Sequence, residues 1–353
     1  MAFLSRFRGQ ILSWWQDTPL PGGSAGNAVF QSWHAFDPAS GCWSPFDGAR
    51  SPGATAERGM VRDAADPLVV VTWNIDYNSA LAALRISALI SRILALSPAV
   101  DVILLQEVSR TALSFLLEDP RIRQDWIASE GSATSFGQQS FISVTLMSKG
   151  RFGQPASSPG GLALGRVWRV KYPSRFGRDA LCCDIFVPSC TKSPGETTLT
   201  RTRLINVHLD SLPIQPSLRP RQISIVASLL RCAGRGLVAG DFNPVLPQDT
   251  TLLRDNDLID AWAELHPGEP GFTWGVDGNE PFPPNRMDKI AILGLKVQDM
   301  EILHPGSVGR PHEGGTPVTS VPEREGSVDQ PVPWSDHSGL RCSVQLVKTS
   351  RTS

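Results

Sequence analysis

What most constrains the fold of this chain is a repeated event: a short apolar run that ends on a carboxylate, an amide or an imidazole. Leu68-Val-Val-Val-Thr-Trp-Asn-Ile75 closes with Asn74, and Val100-Asp-Val-Ile-Leu-Leu-Gln-Glu107 closes with Glu107. Arg201 to Leu209 carries His208 with Asp210 directly after it, and Gly236-Leu-Val-Ala-Gly-Asp-Phe-Asn243 delivers Asp241 and Asn243 beyond Gly240. Runs this short and this apolar have the character of strands buried on both faces. Alternate side chains of a strand share a face, so Asp241 and Asn243 are expected to point together into a cleft past the end of theirs.

Helix signals separate these strands. Ser79 to Leu96 carries an apolar stripe at Leu81, Leu84, Ala88, Ile93 and Leu96 and is closed by Pro98. A shorter helix is expected at Ser109 to Leu117, another at Ser217 to Cys232 with Arg219 and Arg221 in its opening turns, and a further one near Asp255 to Leu265. Strands are expected at Ser140 to Met147, Leu162 to Lys171, Asp179 to Val187 and Asn285 to Ile292, with a last one ending at Val347. Pro/Gly-rich stretches from Pro267 to Pro284 and over 305–333 read as long loops. The alternation is that of an α/β protein, and by periodicity alone it fits a doubly wound sheet as well as a two-sheet sandwich.

The 353 residues, 41% hydrophobic and 19% charged, are enough for a large core in one large or two ordinary domains. Texture changes at Pro67. Residues 1–66, with Trp14, Trp15, Trp33 and Trp43 in sequence broken by Pro and Gly, read as an arm, either pinned by its aromatics or disordered. Residues 67–348 read as one domain of alternating strands and helices and 349–353 as a tail. A net charge of -1 argues against a molecule that is basic all over, so any site for a polyanion is local. The cysteines form no C-x-x-C pair and accompany no secretory signal, which predicts reduced thiols and an intracellular location, nuclear or cytoplasmic. Arg6 and Arg8 in an acid-free N-terminus leave an organellar address open. No run approaches 18 apolar residues, so no membrane span is expected.

Nine polar residues gather at six successive strand ends: Asn74, Glu107, His208, Asp210, Asp241, Asn243, Asp288, Asp336 and His337. Singly, each is more often a turn cap or a satisfied polar group. Together, so many acids at one place are costly unless a cation or a phosphate partner is present. A hard divalent ion, Mg²⁺ or in its stead Mn²⁺, suits a set of carboxylates, amides and water; zinc is not expected.

Six motifs, Thr72-Trp-Asn-Ile, Leu105-Gln-Glu-Val, Asn206-Val-His-Leu, Gly240-Asp-Phe-Asn, Arg286-Met-Asp-Lys-Ile and Ser335-Asp-His, follow one another as they do in the endonuclease/exonuclease/phosphatase superfamily, which the chain resembles from residue 67 to 347. The resemblance implies a DNase I-like four-layer α-β-β-α sandwich, two mostly antiparallel sheets flanked by helices, with a Mg²⁺-dependent phosphodiesterase site along one edge. Within the superfamily, Trp73-Asn-Ile-Asp76, His208-Leu-Asp-Ser211 followed by Arg219-Pro-Arg-Gln222, Thr273-Trp274 and Arg286-Met-Asp-Lys289 are similar to the tyrosyl-DNA phosphodiesterase 2 family. That family removes tyrosine adducts from DNA 5′ ends after abortive topoisomerase II action. One departure is Gly240-Asp-Phe-Asn-Pro-Val, which lacks the basic residue expected after Asp-x-Asn in vertebrate relatives.

Phosphodiester hydrolysis needs an in-line water, a base, and donors for the phosphoryl oxygens. The resemblance then implies Asp241 as base or water-orienter and Asn243 as a phosphoryl-oxygen donor. Glu107 would hold the metal with Asp336 beside it and Asn74 orienting the carboxylate. His337, kept protonated by Asp288, would donate to phosphate, and His208 and Asp210 would line the phosphate face. Arg219, Arg221 and Arg286 are expected on backbone phosphates, Trp274 on a base and Phe141 along the groove. The partners expected are single-stranded or frayed DNA 5′ ends with tyrosyl protein adducts, met by a monomer. Other phosphoesters, from abasic DNA, RNA tails and nucleotides to inositol phosphates and sphingomyelin headgroups, are the alternatives, as is a non-catalytic binding module. Abasic-site nucleases of this fold usually carry tyrosine where this chain has His208.

Overall fold

The structure, a computed structural model, describes residues 18–22, 28–46, 66–153, 162–190, 197–278, 280–309 and 331–346. Two sheets lie face to face. The first runs, edge to edge, β1 (Ala28–Gln31), β8 (Ala163–Lys171), β9 (Asp179–Cys190), β10 (Thr197–His208), β11 (Gly236–Asp241), β13 (Asp288–Leu293) and β12 (Ile259–Asp260). The second runs β14 (Lys296–Leu303), β17 (Gly339–Gln345), β4 (Leu68–Asn74), β5 (Val102–Ser109), β7 (Phe141–Ser148), β6 (Trp126–Ala128), β2 (Trp33–Asp37) and β3 (Cys42–Phe46). A small ladder joins β15 (Ser307–Val308) to β16 (Val332–Pro333). The pairs β4–β5 and β10–β11 are parallel and the other ladders antiparallel. The helices are α1 (Ala82–Leu94), α2 (Arg110–Glu118), α3 (Pro120–Asp125), α4 (Lys149–Phe152), α5 (Arg219–Ala233) and α6 (Ala261–Leu265).

Strand alternation builds three cores from single runs of sequence. Leu68 and Val70 of β4, Val102 and Leu104 of β5, Leu204 of β10, Leu237 and Ala239 of β11, and Ile290 and Ile292 of β13 meet between the sheets. The intervening Val69, Val71, Trp73, Ile103 and Leu105 face the other way, under Ile86, Leu89, Ile90 and Ile93 of α1 and Leu113 and Leu116 of α2. Ile205, Val207 and Val238 lie under Ile223, Val226 and Leu230 of α5. Each such side chain contributes about 1.5–3 kcal/mol on burial. Three interlayer cores require four layers, so the architecture is the α-β-β-α sandwich and not one doubly wound sheet.

Several boundaries differ from the sequence expectation for local reasons. Helix α1 starts at Ala82 because Leu81 takes a left-handed backbone (φ 58) that ends the preceding turn. Helix α2 begins after Ser109, whose hydroxyl accepts from the Ala112 amide as an N-cap. The helix expected near Asp255 to Leu265 is broken by left-handed Asp257 (φ 57) into a 3₁₀ turn at Arg254–Asn256, strand β12, and helix α6, which is capped by Asp260. Inside the segment read as an arm, residues 28–46 supply β1, β2 and β3, which extend both sheets at their edges. Trp33 reaches the inter-sheet core and donates its indole N–H to Gly165 O at 2.9 Å. Trp14, Trp15 and the tail lie outside the described residues.

Candidate active site

The alternation that builds the inter-sheet core also builds the site. Continuing the inner faces by steps of two, β4 passes from Val70 through Thr72 to Asn74, β10 from Leu204 through Asn206 to His208, and β11 from Ala239 to Asp241. Strand β13 enters the same face with Asp288, paired opposite Asp241. At this edge the apolar layer therefore gives way to a polar one drawn from both sheets.

Two residues reach the site by breaking the rule. Regular alternation would send Glu107 to the outer face beside Leu105. A register shift between Leu105 and Val108 and a left-handed backbone at Glu107 (φ 57) re-aim it inward, the usual effect of a bulge. Its Oε2 accepts from the Tyr77 amide at 3.1 Å. Asn243 lies past the end of β11 with φ 45, so a turn brings it beside Asp241, and not strand alternation as the spacing had suggested. Its amide N–H donates to Asp241 Oδ1 at 2.9 Å and its side chain to Leu209 O at 3.3 Å.

Asn74 donates to Asp241 Oδ2 at 3.1 Å, linking the two sheets across the site. His208 Nε2 lies 3.4 Å from the same oxygen and 3.7 Å from Glu107 Oε1. Arg178 Nη1 stands 3.0 Å from His208 Nδ1. A guanidinium has donors only, so Nδ1 accepts and the ring proton belongs on Nε2, facing the carboxylates. Burial, with Arg178 and His337 nearby, holds the His208 pKa well below its ordinary value, and the ring is neutral. His337 is the opposite case: burial works against its charge, but Asp288, with Oδ2 2.8 Å from Nδ1, raises its pKa well above the ordinary value. Burial lifts the Glu107 carboxyl above its usual range and that of Asp241 to about 7.

These carboxylates fit a hard cation. The donors at hand are carboxylate and amide oxygens, and burial leaves both Glu107 and Asp241 short of compensating charge. Among the described residues no group of three or more His, Cys, Asp or Glu is arranged to hold a metal. Mg²⁺ needs no such cage, because one or two carboxylates, water and substrate phosphate commonly complete its shell. Glu107 and Asp336 would hold it, with Asn74 beside them. Asp336 is exposed at the rim and accepts from the Trp274 indole at 3.1 Å, which fixes that ring against the site.

A cleft of about 480 Å³ opens beside this cluster, lined by Tyr77, Glu107, Phe141, Phe176, Arg178 and His208. Phe141 packs tilted against Tyr77 at 4.4 Å and stacks on His208 at 5.8 Å, and the Arg178 guanidinium lies 4.6 Å over its face. Phe141 lines this cleft. Arg178, Tyr77 and Phe176 were not singled out in the sequence. Arg178 immediately precedes β9, and only the register of Ala180 against Val207 brings it level with the end of β10.

Three expected substrate contacts are corrected. Arg219 is buried, with Nε on Asp249 at 2.9 Å and Nη1 on Asp210 O at 2.6 Å, so it anchors the start of α5 and cannot meet DNA. Arg286 is held by both oxygens of Asp260 at 2.7 Å, so its end-on fork and its charge are already taken up by a carboxylate. Asp210 accepts from the Ser174 hydroxyl and the Arg175 amide, so it orders the loop that presents Arg178 and does not line the phosphate face. Arg221 is exposed on α5. Replacing Arg219 by Ala strands Asp249 as a buried, unpaired charge and is expected to cost about 3 kcal/mol, read by denaturant unfolding, with DNA affinity unchanged below the transition.

A further residue of the framework, Arg85 on α1, is buried and donates to Ile75 O at 2.7 Å, Asp76 O at 3.0 Å and Pro333 O at 3.1 Å. It ties the loop after Asn74 to the segment leading into Asp336 and His337.

Residues 71–337 match the sequence model of the Endonuclease/Exonuclease/phosphatase family. The chain belongs to this family. Its members are hydrolases of phosphoester bonds and generally use divalent metal ions. No curated protein sequence matches the chain. Among solved structures, TDP2 (tyrosyl-DNA phosphodiesterase 2) of D. rerio complexed with a single-strand DNA product superposes with a TM-score of 0.55 at 17% identity, covering 79% of this chain and 98% of that one. TDP2 from C. elegans gives 0.53 at 18% identity, covering 79% and 75%. An Endonuclease/Exonuclease/phosphatase family protein from Leptotrichia buccalis gives 0.50 at 14%, covering 78% and 99%. At these identities the likeness is one of fold, and it matches the two-sheet sandwich described above. Among the described residues no helix is long and apolar enough to cross a membrane.

Proposed function

We propose that this chain hydrolyses 5′-phosphotyrosyl bonds at DNA ends, leaving a 5′-phosphate. The observation that carries the reading is the pairing of an acid, amide and imidazole cluster with an adjoining cleft walled by Tyr77, Phe141 and Arg178. The cluster offers what phosphoryl transfer needs, and the aromatic and cationic walls suit an unpaired end or an aromatic adduct better than a duplex. That D. rerio TDP2 was solved with a single-strand DNA product is in keeping with this reading.

In the proposed reaction Asp241, held by Asn74 and by the Asn243 amide, takes the proton of the attacking water. The Nε2–H of neutral His208, the free N–H of Asn243 and the His337 imidazolium, aimed by Asp288, donate to phosphoryl oxygens as charge builds. A divalent ion bound at Glu107 and Asp336 would supply further neutralisation of those oxygens. The leaving phenolate has a conjugate acid of pKa about 10, far below a sugar hydroxyl, so it departs without a dedicated acid. Trp274 at the rim and Arg221 are the remaining candidates for contacts to the strand.

The test is a comparison of substrates in Mg²⁺: a single-stranded oligonucleotide with a 5′-phosphotyrosine, a duplex with an abasic site, and a sphingolipid. The expected result is a 5′-phosphate end from the first alone. Turnover of either of the others with none of the first would reassign the substrate within the family, and no turnover at all would leave a binding module.

A further inference from the structure

Asn206 poses a question of its own. It lies on the inner face of β10, fully buried, two residues after Leu204, where the aliphatic inter-sheet layer gives way to polar side chains. An amide there costs about 1–3 kcal/mol if unpaired, and a leucine would pack without that cost. Yet every hydrogen bond its side chain makes crosses to the opposite sheet. Its Nδ2 donates to Leu105 O at 3.1 Å and to Val144 O at 3.0 Å, and its Oδ1 accepts from Gln106 Nε2 at 2.8 Å. Gln106 in turn donates to Thr72 Oγ1 at 3.0 Å and Leu104 O at 3.1 Å, which spreads the network over three strands of the facing sheet, β4, β5 and β7.

The three groups that Asn206 touches have one thing in common. Leu105 and Val144 are the last regular pair before the ladder between β5 and β7 shifts register, and Gln106 is the next residue, immediately before left-handed Glu107. Without the bulge, Glu107 would follow Leu105 on to the outer face and into the core under α2. The bulged arrangement costs backbone strain of about 1–3 kcal/mol and persists only where the surroundings over-determine it. Asn206 is what the facing sheet contributes to that over-determination.

We propose that Asn206 is a positioning residue: by pinning the β5 bulge to β10 it holds Glu107 inward, at a fixed separation from His208, which lies two residues along the same strand. The inference rests on the reading of Glu107 as a metal-holding carboxylate. It also explains why His208 and Glu107, from different sheets, come within 3.7 Å.

The experiment uses N206L, which keeps the shape and removes the donors, with the full chain and Mn²⁺ as probe. Electron paramagnetic resonance titration is expected to show Mn²⁺ bound about tenfold more weakly than by the wild type, the scale of losses when a group supporting a ligand is removed. Hydrolysis of the phosphotyrosyl oligonucleotide should fall by a similar factor at low Mn²⁺ and recover at saturating Mn²⁺, which a general loosening of the fold would not do. Unchanged Mn²⁺ affinity, or a loss of turnover that excess Mn²⁺ does not restore, overturns the proposal. Should N206L not fold, N206S, with one donor left, is read in the same way. A wild-type chain that binds Mn²⁺ but cleaves no phosphotyrosyl bond sinks the proposed function alone, and Asn206 is then judged on affinity. A wild-type chain that binds no Mn²⁺ overturns both.

Discussion

Asp241→Asn is expected to lower single-turnover release of tyrosine from a 5′-phosphotyrosyl oligonucleotide by about a thousandfold, within the range for loss of a general base. The substitution is nearly isosteric, and its site is closed on the sides that matter for folding. Asn243 N donates to Oδ1, Asn74 Nδ2 donates to Oδ2, and the backbone O of Asp241 accepts from the Leu209 amide. An asparagine keeps one acceptor for these donors, loses the other, and cannot take a proton from water. Binding of the single-stranded product should persist, because a negative charge beside the phosphate is removed and the cleft formed by Phe141, Tyr77 and Arg178 is untouched. Anisotropy with a labelled 5′-phosphorylated strand gives the affinity, and rapid quench gives the chemistry. Retention of more than about a tenth of wild-type turnover would take Asp241 out of the proton transfer, since that is below the smallest effect of a working base.

Much of this site was legible in the sequence because the rule that generates it is simple. A strand that is buried on both faces keeps a charge inside only with a partner, as Arg203 of β10 does on Asp184, so an acid, amide or imidazole at the end of an apolar run marks where the layer ends, and Asn74, His208, Asp241 and Asp288 all mark the same edge. The choice of two sheets over one could not come from that rule, since both architectures bury strands on both faces; it came with the family motifs, and the three separate cores bear it out. What periodicity could not show was where it is broken. Glu107 lies on the wrong face of a regular strand and Asn243 lies beyond the end of one, and both depend on left-handed backbone that the residue types do not announce. The arginines failed for another reason. Arg219 and Arg286 were read as free charges, but each had an acid partner distant in sequence, Asp249 and Asp260, and a pairing of that kind appears only when the chain is folded. Arg178, the arginine that does reach the site, carries no local signal at all.

Gly240→Ala is expected to cost about 4–5 kcal/mol of stability, among the largest values for a single substitution, and to abolish turnover in whatever fraction remains folded. Gly240 lies in β11 one residue before Asp241, paired in parallel register with Val207 of β10, and its backbone sits at φ 140, a region that side chains rarely enter. A Cβ built on it falls in clash range of the carbonyl oxygen of Val207, with that residue's carbonyl carbon and amide nitrogen also close. No rotamer relieves the clash, because all three atoms are backbone. The strand must move instead, and what it carries moves with it: Asp241 is the next residue on β11, and His208 is the next on β10. The spacing of a carboxylate and an imidazole on neighbouring strands, with His208 Nε2 3.4 Å from Asp241 Oδ2, is lost with that movement. Denaturant unfolding of Gly240→Ala beside Gly278→Ala separates this packing effect from the ordinary strain of a positive φ, since Gly278 (φ 75) has nothing within 4 Å of its Cβ position and should cost only about 1 kcal/mol. Equal losses for the two would mean that the closeness of β10 and β11 at Val207 is not what glycine is needed for.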